Sequence, residues 1–269
     1  MVDRIASIVM AAGRGSRMKG FEGNKTLLPL IPLTSPYQGT RPILLHILET
    51  LPPGPKAVIV NYEKHAVMEA TGPLNLTFRD QLVLNGTGGA LLAAAPFIKN
   101  IDVDRVIITM GDVPLVRKET YLGLARRLSS SAFVVLGFRP RDKRQYGALE
   151  IRHGSVRRII EWKYWSALPG DQQALLSVFN SGIYAARRKE LLKCIPVLRS
   201  RPHRVLKERN GKFVELEEFF ITDLVECMVK DGLPVGFVDA EDEEEVMGVD
   251  DLESLQKAQE AYRRRINAH

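Results

Sequence analysis

Cysteine is nearly absent from this sequence: two of 269 residues, Cys194 and Cys227. They stand far apart in the chain, with no Cys-x-x-Cys pair and no neighbouring histidine. That pattern offers neither a metal-ligand spacing nor a disulfide framework, so both are expected as idle, buried thiols of a reducing cytosol. Aromatic residues are also sparse, at 7%. No run of like charge is interleaved with them, which argues against a nucleic-acid partner even though the formal net charge is +6. Long apolar runs are missing too. The N-terminal one, residues 5–12, is too short to span a bilayer and leads into glycine and arginine rather than a cleavage site. A chain with no membrane partner, working in the cytoplasm, is expected. No internal repeat and no low-complexity segment occurs.

What is present is aliphatic residues along the whole length, in a composition that is 45% hydrophobic and sufficient for a sizeable core. Short Val- and Ile-rich runs at residues 5–10, 57–61, 106–110 and 133–137 read as buried strands. Helical patterns at 43–51, 88–97 and 120–128 lie between them. This alternation predicts an α/β fold: a Rossmann-like, mostly parallel mixed sheet flanked by helices, with ligands at the carboxyl ends of the strands. Residues 146–151 and 156–162 read as a hairpin turning at Gly154. A strand at 178–185, helices from Lys189, over 222–230 and over 250–265, and a strand at 235–239 complete the reading. Thr222 is a candidate cap, as is Asp250 or Asp251. The proline-rich stretches 29–42 and 52–55 are expected as loops. The simplest organisation is one domain over 1–269, with an α/β part to about 138 and a small β-rich lobe with the C-terminal part after it. The acidic run 241–245 and the basic run 263–265 are expected to be solvated.

The first strand runs straight into Ala11-Ala12-Gly13-Arg14-Gly15-Ser16-Arg17-Met18. Glycines let a backbone bend and approach a ligand, and successive N–H groups can then face one phosphate. Arg17 adds a permanently charged planar donor set, and Lys25 a second cation. There is no Gly-Lys-Ser/Thr, which excludes a Walker A loop, and no third glycine, which excludes the dinucleotide fingerprint. Gly-x-Gly alone is equally at home in a plain turn.

The full string from Ala11 through Lys25 to Pro29 resembles the signature of the sugar nucleotidyltransferase family. Within that family it is most similar to uridyltransferase domains acting on N-acetylglucosamine 1-phosphate. Further segments follow in the family's order: Gln81 with 85–90, 111–115, 146–147, 180–182 and 221–223. The resemblance runs from about residue 5 to 259 and implies the nucleotide-diphospho-sugar transferase fold. It implies a triphosphate held by Ala11, Ala12, Gly13 and Gly15, a base read by Gln81, Gly86 and Thr87, and Arg17 and Lys25 as catalytic cations. Asp112 and Asp250 are implied as ligands of Mg2+, an ion suited to one or two carboxylates plus substrate phosphates. Gly147, Glu161, Asn180 and Thr222 are implied as the sugar site. Taken singly these are a strand bend, a strand charge, a turn residue and a helix cap. Trp162 and Trp165 suit a sugar-stacking platform or packing beneath the lobe.

The implied reaction is an in-line attack of a sugar 1-phosphate on the α-phosphorus of a nucleoside triphosphate, releasing pyrophosphate. The sequence departs from the family pattern at Gly89, where histidine is usual, at Phe220, where tyrosine is common, and at Asp250, where asparagine is usual. Those departures leave open another base specificity, or a catalytically weak nucleotide-sugar binding or regulatory protein. The hexapeptide repeats of the acetyltransferase β-helix found in bifunctional relatives do not occur, so acetyl transfer is not expected.

Overall fold

Strand β1 (Ala6–Met10) is buried along its whole length, as a strand covered on both faces must be. The computed structural model describes residues 4–15, 17, 18, 20–143, 145–209 and 212–267. After β1 come the ribbon β2 (Pro29–Ser35) and β3 (Gln38–Pro42), helix α1 (Ile43–Thr50), β4 (Lys56–Val60), α2 (Lys64–Ala70), β5 (Leu76–Asp80), α3 (Gly86–Asn100), β6 (Arg105–Met110), α4 (Lys118–Arg127) and β7 (Phe133–Phe138). The second half contains β8 (Ala148–Arg152), β9 (Ser155–Ile160), α5 (Trp162–Trp165), α6 (Gly170–Leu175), β10 (Phe179–Arg187), α7 (Arg188–Arg199), β11 (His203–Arg209), β12 (Lys212–Glu218), α8 (Asp223–Lys230), β13 (Val235–Asp239) and α9 (Leu252–Asn267).

The main sheet runs β13-β7-β10-β6-β1-β4-β5, with the β8–β9 hairpin attached to β10. β1 pairs in parallel with both β4 and β6, and β4 with β5. β10 is antiparallel to both β6 and β7, which makes the sheet mixed as expected. Side chains alternate between two cores. Val9, Ile107 and Val134 face α1, α4 and α9 on one side. Ile8, Ile108 and Phe133 face α3, α7 and α8 on the other. The chain extends outward from β1 through β4 to β5, then returns to β6 on β1's opposite side. The carboxyl ends of β1 and β6 therefore flank the point where strand order reverses, which is where such sheets open a crevice.

The structure corrects several expectations. Residues 29–42 form the antiparallel ribbon β2–β3 rather than a loop, with Pro29 opposite Pro42 and Pro32 opposite Gly39. A two-stranded ribbon leaves one edge of each strand unpaired, so a missing N–H costs little there. Gln259 on α9 fastens the ribbon through hydrogen bonds of 2.8 Å to the Pro29 and Pro36 carbonyls. Glu161 is not in a strand but stands at the start of α5. Thr222 precedes α8 without capping it by its side chain, because its hydroxyl donates to Glu161 at 3.1 Å. Asp251, not Asp250, caps α9, accepting from the Ser254 N–H at 2.8 Å. Glu245 is fully buried and accepts hydrogen bonds from the Arg117 N–H and the Thr120 hydroxyl at the start of α4. A carboxylate there satisfies donors the helix start would leave orphaned. Trp165 packs beneath the lobe, its indole N–H on the Tyr146 carbonyl at 2.8 Å, while Trp162 is 41% exposed. Cys194 and Cys227 are buried, as expected. They are not apart, however, since α7 and α8 lie side by side and bring the two sulfurs to 2.7 Å.

One partly buried group gives the fold a pH dependence. The His46 ring on α1 stacks edge-on against Tyr262. Burial, followed by the charges of Arg41 and Arg265, lowers its pKa to about 4. The unfolded chain then binds a proton between about pH 6.5 and 4 that the folded chain does not, so stability falls as pH drops through that window. The full shift corresponds to at most about 3 kcal/mol. In urea titrations at pH 7 and pH 4.5, His46→Gln is expected to lose less stability on acidification than the unsubstituted chain. Equal losses would remove His46 as the cause.

Candidate active site

The cleft at the switch point has a volume of about 790 Å³. Its floor is made where β1 and β6 end, tied together by the Gly111 N–H on the Met10 carbonyl at 2.9 Å. The loop from Ala11 to Gly15 forms one wall and Asp112 the other. Gly13 has nothing within 4 Å of where a side chain would start, so its backbone faces open space. Gly15 adopts φ +62° and a Cβ there would meet the Lys25 side chain at 3.2 Å. Glycine is thus required twice over: for the left-handed turn and for the lysine stem that packs against it.

Asn24 places that lysine. Its side-chain N–H groups donate to the carbonyls of Ala11 at 3.1 Å and Tyr62 at 2.9 Å. Its oxygen accepts from the Thr26 N–H at 3.0 Å and the Thr26 hydroxyl at 2.8 Å. Asn24 is 1% exposed, and its full set of bonds joins the two ends of the loop. Nothing in the sequence by itself marks Asn24 for this part. An amide flanking a motif lysine carries no signal of its own until the carbonyls it bridges are known.

Lys25 Nζ stands 2.5 Å from Asp112 and 2.8 Å from Asp250. The carboxylates meet because the Val249 N–H donates to the Asp112 carbonyl at 2.8 Å, while the Asp250 N–H is held by the Ser254 hydroxyl at 2.9 Å. Arg17, 75% exposed at its side chain, reaches the same Asp250 oxygen at 3.0 Å. Burial pulls the Lys25 ammonium down, but the charges and hydrogen bonds of Asp112 and Asp250 outweigh it and hold its pKa above the ordinary 10.5. Lys25 is therefore charged throughout the neutral range.

At the opposite end, Gln81 is buried and donates its side-chain N–H groups to Asn85 Oδ1 at 3.2 Å and to the Gly86 carbonyl at 3.1 Å. A Cβ at Gly89 would sit 1.8 Å from that Asn85 oxygen. The Asn85 carboxamide fills the space Gly89 leaves empty. Gly88 donates to the Phe219 carbonyl at 2.7 Å, and Phe219 to Asn85 at 2.9 Å, so the turn containing Gly86 and Thr87 is fastened to the chain beyond β12.

All the positions expected for the triphosphate, base and metal line this one cleft: Ala11, Ala12, Gly13, Gly15, Arg17, Lys25, Gln81, Gly86, Thr87, Asp112 and Asp250. The four expected for the sugar form a separate group beside it. Asn180 donates its backbone N–H to the Gly147 carbonyl at 2.8 Å and its side-chain amide to the Tyr184 hydroxyl at 2.9 Å. Glu161 pairs with Thr222. Their chain neighbours Tyr146 and Ser181, with Glu218 and Phe220, form the adjoining wall. Glu218 and Lys257, which also lines the cleft, were not singled out in the sequence, and Ser181 was read only as part of the segment 180–182. Each is an ordinary polar residue whose place in the wall depends on how distant elements pack.

A mixed, mostly parallel sheet flanked by helices is the architecture of the nucleotide-diphospho-sugar transferase fold. Solved structures agree. The uridine diphosphate N-acetylglucosamine pyrophosphorylase of Trypanosoma brucei superposes with a TM-score of 0.72 at 13% identity, over 95% of this chain and 64% of that one. CMP:2-keto-3-deoxy-manno-octonic acid synthetase complexed with CTP gives 0.63 at 14% identity, over 98% and 100%. At these identities the likeness is one of fold. Residues 7–207 match the MobA-like NTP transferase domain, and the chain belongs to that family. It is also 29% identical over 271 residues to the bifunctional protein GlmU of Novosphingobium aromaticivorans, an alignment covering 98% of this chain and 54% of that protein. The chain thus spans about half the length of the curated relatives it matches. No helix among the described residues is long and apolar enough to cross a membrane.

Proposed function

We propose that the cleft transfers a nucleotidyl group from a nucleoside triphosphate to a sugar 1-phosphate and releases pyrophosphate, with UTP and N-acetylglucosamine 1-phosphate as the leading pair. The observation that carries this reading is the meeting of Lys25, Asp112 and Asp250 beside the Gly13–Gly15 backbone. Two carboxylates converging on one cationic nitrogen form a hard, anionic donor set that fits Mg2+. Held by Asp112 and Asp250, Mg2+ would supply charge neutralisation for the reacting phosphates.

In this reading the loop backbone holds the triphosphate, and Arg17 and Lys25 offset the charge that develops on the departing pyrophosphate. A sugar phosphate oxygen is already ionised at neutral pH, so no residue is needed as a base. Gln81, whose side-chain N–H groups are engaged by Asn85 and Gly86, keeps its side-chain oxygen without a hydrogen bond among the described residues, and that oxygen can accept from a base N–H, as on a uracil or thymine imide. Gly147, Glu161, Asn180 and Thr222 hold the sugar. Since nothing in this chemistry calls for a membrane, we place the reaction in the cytoplasm, within a single domain spanning the chain.

The test is a matrix of the four ribonucleoside triphosphates and TTP against a panel of sugar 1-phosphates, with Mg2+, read as pyrophosphate release. Turnover with one clear pair is expected, and Arg17→Ala is expected to lower it by about 10²–10³. Wild-type turnover in that variant would remove Arg17 from the mechanism. In the resting site Lys25 and Arg17 already balance the two carboxylates, which favours a second reading as a nucleotide-sugar binding protein. Tight binding without turnover across the whole matrix would establish it.

The Asn85–Gly89 arrangement makes its own prediction. Gly89→Ala must push the Asn85 carboxamide aside, at a cost of about 1–3 kcal/mol, and release Gln81. The Tm is expected to fall and KM for the triphosphate to rise. Adding Asn85→Ala is expected to restore the Tm but not KM. Recovery of both would show that Asn85 has no part in holding Gln81.

A further inference from the structure

We infer that Cys194 and Cys227 form an oxidisable dithiol, a modification site that closes reversibly to an intramolecular disulfide with a small peroxide as co-reactant. Cys194 lies on α7 and Cys227 on α8, both buried among the apolar side chains between the helices and the sheet. Their sulfurs are 2.7 Å apart. Two thiolates sharing one tetrahedral zinc ion, each at about 2.3 Å, would stand roughly 3.8 Å apart, and a bonded pair about 2.05 Å apart. The observed separation is too short for a shared ion and close enough to bond with a small rotation. Asp231 completes a possible three-ligand group with them, but it is exposed while both thiols are buried.

The pair also has an entrance. A pocket of about 200 Å³ is lined by Cys227 together with Leu198, Arg201, His203 and Asp223. That volume admits a peroxide. Cys227 lines this pocket and Cys194 does not, so Cys227 is the sulfur an oxidant meets first; burial, and then the contact with Cys227, pushes the Cys194 thiol well up. Its sulfur attacks one peroxide oxygen. An S–O bond forms, the O–O bond breaks, and the other oxygen leaves as water after taking up the thiol proton. Cys194 then attacks the resulting sulfenic sulfur and displaces its hydroxyl, which leaves as a second water with the Cys194 proton. Two thiols and one peroxide give one disulfide and two waters; sulfur is oxidised and the peroxide oxygens are reduced.

The closed loop joins residues 33 apart. It encloses the β11–β12 hairpin and Phe219, whose backbone fastens the Gly86–Gly88 turn. A cross-link of this kind restrains the unfolded chain. In a reducing cytosol such bonds are transient and redox-sensing, which suits a reversible staple clear of the cleft.

The test treats the full chain with hydrogen peroxide, denatures it, alkylates free thiols with iodoacetamide and weighs the intact protein. Both thiols are expected to be protected in a monomer lighter by two hydrogens. The Tm is expected to rise by several degrees, and dithiothreitol is expected to reverse both changes. In Cys194→Ala, Cys227 is expected to stop at a sulfenic acid trapped by dimedone. Thiols still open to alkylation after peroxide, cross-linked dimers, or protection of both thiols by one zinc ion per chain without oxidant would each overturn the inference. The wild-type measurement decides the matter even where the variant does not fold.

Discussion

Replacing Lys25 with methionine is expected to lower kcat/KM by about 10²–10³ while strengthening the hold on Mg2+. The two effects have opposite signs for one physical reason. Lys25 Nζ lies between Asp112 and Asp250 at 2.5 and 2.8 Å. In the resting site it is therefore the counter-ion of the very carboxylates proposed to take the metal. Removing its charge leaves two partly buried carboxylates facing one another, an arrangement a divalent cation relieves. Methionine keeps a stem of similar length against Gly15, so the loop retains its packing. The measurements are steady-state pyrophosphate release and the Tm with and without Mg2+. A larger Mg2+-dependent rise in Tm for the variant than for the parent, together with the lost turnover, is the expected pair of results. An unchanged Mg2+ response would mean that the carboxylates do not form the cation site, even if activity fell.

Asp112→Asn is expected to be the more damaging of the two carboxylate substitutions. Asp112 is the less exposed, at 17% against 35% for Asp250, and follows directly from the end of β6. Loss of a charged metal ligand removes several kcal/mol of transition-state stabilisation, or at least about 10²-fold in turnover. Both substitutions keep an oxygen donor, but Asp250→Asn removes the more exposed charge and gives up attractions of which one, to exposed Arg17, is worth only about 0–1 kcal/mol. Its turnover is expected within about tenfold of the parent. Activity measured across a Mg2+ titration separates the two: Asp112→Asn is expected to require far more Mg2+, Asp250→Asn only modestly more. If Asp250→Asn proves the more severe, Asp250 and not Asp112 is the principal ligand.

Much of this was legible in the sequence, and its limits follow from the range of the forces involved. The strands at 5–10, 57–61, 106–110 and 133–137 and the helices at 43–51 and 120–128 could be read because burial on both faces demands continuous Val and Ile runs, and burial on one face demands helical periodicity. The loop from Ala11 to Lys25 was readable because glycine and charge in fixed order act locally. The ribbon β2–β3 was misread because proline signals a turn unless the strand has a free edge, and edges are a property of the whole sheet. The hairpin β11–β12 and the short strand β5 were missed because partly exposed strands lack a continuous apolar run. Asp251 could not be told from Asp250 as the cap of α9, since only the placement of Ser254 decides between adjacent carboxylates.

The sequence alone thus determined the fold class and the places of most buried strands, since these rest on local periodicity, while the glycine-containing loop and the two carboxylates were expected from the resemblance in motif order. Tertiary structure decided that Asp112 and Asp250 share one lysine, that Asn24 holds that lysine in place, and that Asn85 fills the space above Gly89. It also decided that two cysteines distant in the chain are neighbours. Each of these depends on where strand order reverses and on which helices cover which face. Long-range packing sets both, and no local spacing encodes either.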